Sequence, residues 1–198
     1  MANKTFRYAL LAGALSLAAS GGATAGTPSA VLLADTCAGC HGTDGASAGP
    51  ATPTIAGISE DYFIELMEGF ASGEVPSTIM GRIAKGYTAE ETAAMAKHFA
   101  DLKFVKADQQ FDPKLADAGA KLHDKFCEKC HAEGGSSAED DSGILNGQWK
   151  PYLAWTLSDF MEEKRDAPKK MRKKLDKLHK KYGDKGMQAL LNFYAAGK

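Results

Sequence analysis

Apolar residues recur at helical spacing along most of this chain, and the alternation of apolar and polar residues that is typical of strands is scarce. The segment 114–126 is amphipathic at intervals of three and four residues, with apolar positions at Leu115, Ala118, Leu122 and Phe126. Residues 62–70 and 185–195 have similar patterns. The spacing therefore predicts an all-α fold of helices joined by loops.

Two local signals divide this helical pattern. Thr88 precedes an apolar run, and Glu91 follows it by three residues, which is the sequence signature of a capping box at a helix start. The segment 106–113 is charged and closes with Asp112-Pro113, which predicts a linker or a docking strap.

The N-terminus has the pattern of an export signal. Lys4 and Arg7 precede an apolar run from Tyr8, and the run gives way to small residues that end at Ala25. A charged start, a short apolar region and an Ala-x-Ala site predict a secretory signal peptide over 1–25 that is removed. An uncleaved anchor is the alternative, although Gly, Ser and Thr fill its second half. After cleavage we expect no stable membrane insertion.

The charge is balanced over the chain but uneven between its halves. The sequence has 24 basic and 25 acidic side chains, and because nucleic-acid binders usually carry a basic excess, we expect no nucleic-acid partner. Residues 26–105 hold 4 basic and 10 acidic side chains (−6), and residues 106–198 hold 18 and 15 (+3). This opposite polarity suggests two modules.

All four cysteines lie in two copies of one motif, Cys-x-x-Cys-His, at Cys37, Cys40 and His41 and at Cys127, Cys130 and His131. This spacing is the attachment signature of c-type haem, in which two thiols add to the vinyl groups of the porphyrin and the histidine binds the iron. A thioredoxin-like pair, a structural zinc site and two disulfides are the alternatives. Two copies behind an export signal favour two covalently bound haem c groups.

The motifs belong to a longer internal repeat. Cys37 and Cys127 are 90 residues apart, and the same offset relates three further pairs, Gly57 with Gly147, Tyr62 with Tyr152, and Phe70 with Phe160. The offset becomes 91 at Met80 and Met171 and 95 at Phe99 and Tyr194. Duplication of a module explains this register. We therefore predict a first domain at 26–105, a linker at 106–113 and a second domain at 114–198.

A second axial ligand would close each iron, and methionine sulfur gives a higher reduction potential than a second histidine. Met80 lies in a segment, 77–83, that is predicted to be a non-helical loop able to cover the haem, and Met171 occupies the corresponding place in a strongly basic run. The alternatives are His98 in the first module and, in the second, Met161, Met187, His123 and His179. Met67 and Met95 are read as core residues.

An outer acceptor should fix the ring of each proximal histidine. The carbonyl of Pro50, shortly after His41, is the candidate in the first module. No proline follows His131 at a comparable distance, and no acceptor is assigned to it.

With these motifs in place, the chain resembles the class I cytochromes c, and most closely the dihaem cytochrome subunit of flavocytochrome c, a sulfide dehydrogenase. The likeness lies in the sequence stretches 36–42, 67–70, 77–87, 119–131 and 147–160. It implies a periplasmic heterodimer in which an FAD-containing subunit takes electrons from sulfide and this chain passes them through two haems to a small cytochrome acceptor.

The resemblance maps covalent attachment onto the four cysteines and axial ligation onto His41, Met80, His131 and Met171. No catalytic residue is assigned, because two filled axial positions leave no iron site for a substrate. A free-standing dihaem electron carrier is the nearest alternative function. A dihaem peroxidase is a third, for which this chain is short.

Overall fold

The structure, a computed structural model, describes residues 28–138 and 142–198. Every regular element in these two ranges is helical, which confirms the predicted all-α fold. The expected signal peptide at 1–25 lies outside the described residues. Within the described ranges, no helix combines the length and the apolar composition needed to cross a membrane.

The described part of the first half contains five α-helices and two short 3₁₀ segments. The α-helices are α1 (Ala30–Asp35), α2 (Ala38–His41), α3 (Glu60–Ser72), α4 (Met80–Ile83) and α5 (Ala89–Ala100). The 3₁₀ segments are Thr43–Gly45 and Ala84–Gly86. Four α-helices lie in the described residues of the second half, α6 (Pro113–Phe126), α7 (Ala132–Gly135), α8 (Lys150–Met161) and α9 (Lys169–Ala196).

Each half has its own hydrophobic core. In the first half, α1, α3 and α5 bury a cluster in which Phe63 stacks on Phe99 at 5.6 Å between ring centroids. Met67 and Met95 are buried in this cluster, as the sequence predicted. In the second half, α6 packs along α9 around Leu122, Leu178 and other residues of a separate cluster.

Side-chain caps fix two of the helix starts. Thr88 and Glu91 form the predicted capping box at α5, with each side chain accepting a hydrogen bond from the other residue's backbone N–H. Asp112 caps α6 by accepting from the backbone N–H groups of Lys114 and Leu115, and Pro113 is the first helical residue.

The backbone repeats the register found in the sequence. The carbonyl of Gly45 accepts hydrogen bonds from the N–H groups of Ile55 and Ala56. In the second half, the carbonyl of Gly135 accepts from the N–H groups of Leu145 and Asn146, and each of these residues lies 90 positions after its counterpart. The N–H of Gly57 donates to Phe99 O, and that of Gly147 donates to Tyr194 O, each at 2.7 Å. The two halves are thus two copies of one folding unit.

The two units meet through buried hydrogen bonds. The Gln148 side chain accepts from the N–H of Thr54 and donates to its carbonyl oxygen, both at 2.9 Å. The indole N–H of Trp149 donates to Ser47 O at 3.1 Å. The Trp149 ring lies so close to Gly49 that a Cβ there would be 2.2 Å from it.

Candidate haem-binding sites

Both cysteine motifs fold into the same turn. His41 N donates to Cys37 O at 2.9 Å, and His131 N donates to Cys127 O at 3.0 Å. In each motif one cysteine is partly buried and the other is exposed, and none of the four forms a disulfide. The chain thus presents two thiols and an imidazole together twice, which is what covalent haem attachment requires.

The ring of His41 is held in the orientation that iron ligation needs. Its Nδ1 lies 2.9 Å from Pro53 O, and because a carbonyl can only accept, Nδ1 carries the proton and Nε2 keeps a free lone pair. Burial lowers the pKa of His41, which favours the neutral, ligating form. The expected acceptor, Pro50, is wrong, since the loop brings the carbonyl of Pro53 to the ring instead.

The ring of His131 is partly buried and is held differently. Burial and the neighbouring His123 lower its pKa, so the neutral form is again favoured. Its Nδ1 has no hydrogen-bond partner among the described residues. The neighbouring residues 139–141 lie outside the described ranges.

The attachment cysteines are partly desolvated. Burial raises the pKa of Cys37 and of Cys127. A contact with the Tyr194 hydroxyl acts in the opposite direction at Cys127. Among the described residues, no group of three or more potential ligand side chains is arranged to hold a metal ion.

Met80 is the first residue of α4. It is partly buried and packs against the same hydrophobic core as Cys37. The expected loop is therefore a short helix, whose first turn is fixed by Gly81 N donating to Ser77 Oγ at 2.8 Å. The segment that follows returns to the attachment motif, because the Tyr87 hydroxyl is hydrogen-bonded to Thr36 Oγ1 at 2.7 Å.

Met171 lies in the first turn of α9 and is partly buried. One turn later, the Lys174 ammonium group donates to the carbonyl of Lys125 at 3.2 Å, two residues before Cys127. This contact ties the start of α9 to the second motif. Arg172 forms ion pairs with Asp166 and Glu163, so part of the basic run is neutralised.

The alternative ligands occupy other places. Met187 is buried in the second core, and Met161 packs against it. His179 is largely exposed near Asp184, and His98 contacts the edge of the Phe99 ring.

His123 has a polar environment that sequence analysis missed. It is fully buried, and both of its ring nitrogens have partners, Glu128 and Tyr194. The signal that could have revealed this cluster is the repeat register, which aligns His123 with Leu33 and Tyr194 with Phe99.

Comparison with known proteins agrees with this geometry. Residues 28–103 match the cytochrome c family. The same comparisons find the cytochrome subunit of sulfide dehydrogenase from Chlorobaculum tepidum, 46% identical over 71 residues, a match that spans 36% of this chain and 64% of the relative.

Longer matches cover both units. Cytochrome c4 from Azotobacter vinelandii is 32% identical over 163 residues, or 73% of this chain and 74% of the relative. The crystal structure of reduced recombinant cytochrome c4 from Pseudomonas stutzeri superimposes with a TM-score of 0.70 at 24% identity, covering 85% of this chain and 98% of that chain.

The duplicated helical fold and its two Cys-x-x-Cys-His turns define a class I cytochrome c with two haem-binding units. The chain belongs to the dihaem cytochrome c family that includes cytochrome c4. Its cofactors are two covalently bound haem c groups, and its function is electron transfer.

Proposed function

We propose that this chain is the periplasmic cytochrome subunit of a sulfide dehydrogenase. In this role it accepts electrons from an FAD-containing subunit and passes them to a small cytochrome acceptor. The observation that carries the proposal is the 46% identity to a sulfide dehydrogenase cytochrome subunit over 71 residues. Since that match spans 64% of the relative, the partner and the substrate are part of the proposal.

Each unit supplies one haem site in this proposal. Cys37 and Cys40 attach the first haem, Cys127 and Cys130 attach the second, and His41 and His131 are the proximal ligands. The orientation of His41 by Pro53 O supports the first assignment. The bound haem supplies one-electron redox chemistry, and the chain holds each iron in an apolar unit and sets its potential.

Met80 and Met171 complete the iron coordination in this assignment. Two contacts support it, the Tyr87–Thr36 hydrogen bond in the first unit and the Lys174–Lys125 hydrogen bond in the second. Each contact returns the methionine-bearing segment to the residues just before an attachment cysteine. With both methionines as ligands, the bound haem would supply electron transfer and would leave no site for a substrate.

The domain boundaries and the location belong to the same proposal. The first domain covers 26–105 and the second 114–198, with 106–113 lying along the second unit through Ala107 N, which donates to Gly147 O at 2.7 Å. Export by a signal peptide at 1–25 would deliver the chain to the periplasm, where haem is attached.

The test is reduction by sulfide through a flavoprotein. The tagged holoprotein is isolated from its native host at low ionic strength, and co-purifying FAD is measured by absorbance. We expect an FAD-containing polypeptide to co-purify, and sulfide to reduce both haems faster when that polypeptide is native than when it is denatured. The control is the same mixture with the flavoprotein heat-denatured, because sulfide also reduces haem directly. Haem reduction at equal rates in both samples would contradict the proposal.

A free-standing dihaem carrier is the second candidate, and the cytochrome c4 matches across both units favour it. In that case the holoprotein is isolated without flavin and sulfide reduces its haems only directly. Both candidate functions involve electron transfer between the two haems. The flavin content of the isolated protein therefore distinguishes the subunit from the free-standing carrier.

A further inference from the structure

The two units differ at one pair of positions next to the haem attachment motif. In the first unit, Leu33 on α1 and Phe99 on α5 are both buried in the apolar core. The repeat places His123 and Tyr194 at the corresponding positions of the second unit, four residues before Cys127 and near the chain end. An apolar pair in one unit is thus a polar, hydrogen-bonding pair in the other.

The polar pair is fully engaged. His123 is 0% exposed, its Nε2 lies 2.6 Å from a Glu128 carboxylate oxygen, and its Nδ1 lies 2.9 Å from the Tyr194 hydroxyl. Because a carboxylate only accepts, Nε2 donates to Glu128, and Nδ1 forms the second hydrogen bond with the Tyr194 hydroxyl. The hydrogen bonds therefore join Tyr194, His123 and Glu128 in one continuous chain.

Glu128 is anchored at the end of this chain. Its carboxylate also accepts from the backbone N–H groups of Glu133 at 3.0 Å and Gly134 at 3.1 Å. These hydrogen bonds and the one from His123 lower the pKa of Glu128, so it carries a negative charge at neutral pH. The side chain is 41% exposed, but its position is fixed by three donors.

This cluster lies against the second haem attachment motif. Glu128 is one of the two residues between Cys127 and Cys130. The carbonyl of His123 accepts from Cys127 N at 2.7 Å and from Glu128 N at 2.9 Å. The Tyr194 hydroxyl contacts the Cys127 sulfur, which carries the thioether once haem is attached.

We propose that Glu128, His123 and Tyr194 form a polar relay that lowers the reduction potential of the second haem, a device that the first unit lacks. All three are positioning residues, because they act through the attachment motif without touching the iron. A fixed carboxylate charge near a buried iron stabilises the ferric state relative to the ferrous state, and hydrogen bonding and net charge are established means of setting haem potentials. His123 and Tyr194 hold that charge in place.

The inference rests on haem attachment at Cys127 and Cys130, and it is independent of the flavoprotein partner. Intact mass and the absorption spectrum of the holoprotein distinguish a failure of the second haem site from a failure of the relay alone. A chain that carries a single haem would overturn both the assignment of the second site and the relay. With two haems present, only the potentials decide the relay.

The decisive variant is Glu128→Gln in the full-length holoprotein. Glutamine keeps the shape and an acceptor for His123 but removes the charge. We expect the midpoint potential of the second haem to shift upward and that of the first to stay unchanged in spectroelectrochemical titration. Glu133→Gln is the matched control. It removes an acidic charge from the same loop, but the Glu133 carboxylate is not part of the relay. Equal shifts in the two variants, or none, would overturn the proposal.

The double substitution His123→Leu/Tyr194→Phe tests the rest of the relay by recreating the pair found in the first unit. We expect the midpoint potential of the second haem to shift upward, because Glu128 loses the donor that holds its carboxylate in place. Thermal unfolding of the same sample measures separately how much the two side chains contribute to stability. Reduced stability with an unchanged second potential would show that the cluster only supports packing, and would overturn the relay.

Discussion

His41 and His131 are equivalent in the repeat, yet only His41 has an acceptor for Nδ1 among the described residues. The acceptor in the first unit is Pro53 O, and the offset of 90 places Gly143 at the same position in the second. Ser142 separates Gly143 from the undescribed residues 139–141. The ring of His131 is instead close to His123, whose effect on the pKa of His131 adds to that of burial.

The proposed axial roles of Met80 and Met171 can be tested by single substitutions. Met80→His and Met171→His each replace a thioether by an imidazole, and since imidazole favours ferric iron, we expect each to lower the potential of one haem only. Spectroelectrochemistry measures the potentials, and the ferric spectrum should lose the weak long-wavelength band of the sulfur-ligated haem.

The control is Met95→Leu, a residue buried in the first core, which should leave both potentials in place. If Met171→His changes neither potential while Met161→His does, the second ligand is Met161.

Residue types and spacing were enough to predict the cysteines and histidines of both motifs, because haem attachment requires a local sequence. The acceptor of His41 could not be predicted this way. Whether the carbonyl of Pro50 or Pro53 reaches the ring depends on the path of the loop between them. The His123 cluster was missed for a related reason, since its members are 71 residues apart and meet only in the fold.

At the scale of elements, helices with long apolar patterns were predicted closely. The segment 114–126 is α6 with one added residue, and 62–70 lies inside α3. The Met80 segment was predicted as a non-helical loop, but Met80 begins α4, because a single turn is too short to show a period. In α9 the basic run and the last helix form one element with a break at Gly183, whose φ is 58°.

Close packing of α6 on α9 depends on Gly119. A Cβ at this position would lie 2.1 Å from the carbonyl oxygen of Ala189, which is backbone and cannot move aside without shifting the helix. We expect Gly119→Ala to lower the free energy of unfolding by about 1–3 kcal/mol, measured by urea titration of the holoprotein.

Gly86 provides the control for this substitution. It ends the 3₁₀ segment Ala84–Gly86, and a Cβ there would have no atom within 4 Å, so Gly86→Ala should change the stability by less than about 0.5 kcal/mol. Equal losses of unfolding free energy in the two variants would show that the close packing of α6 on α9 does not determine the stability.

At the scale of the whole molecule, the two units are held together by a few buried polar contacts. Gln148 is 3% exposed and bonds both backbone groups of Thr54. The sequence indicated two modules and a linker, but it contained no signal for this contact, since residues 94 positions apart meet there.

Removing the Gln148 side chain should separate the units more than it disturbs either core. Gln148→Ala leaves the N–H and the carbonyl of Thr54 without partners, which costs about 1–3 kcal/mol for each group that water does not reach. We expect a lower unfolding temperature and faster proteolysis within 103–112. Gln110→Ala, at an exposed position in that segment, is the control. Identical proteolysis of the two variants would contradict this role.

The uneven charge of the two halves should determine how charged redox partners approach. Around Met171, Lys170 and Lys173 are exposed, whereas Arg172 is paired with acidic neighbours. Because a fixed field raises the encounter rate of an oppositely charged reactant, an anionic oxidant should react preferentially through the second unit. We therefore expect Lys170→Glu/Lys173→Glu to slow oxidation of the reduced protein by ferricyanide at low ionic strength.

Salt separates this effect from a change in the haem itself. With a screening length near 10 Å at 0.1 M and about 3 Å at 1 M, the difference between the variant and the unsubstituted protein should nearly vanish at the higher concentration. The matched control, Lys97→Glu/Lys103→Glu, changes the same charge at exposed positions of the acidic first unit. Stopped-flow rates that fall equally in both variants would show that total charge, and not the Met171 surface, governs the approach.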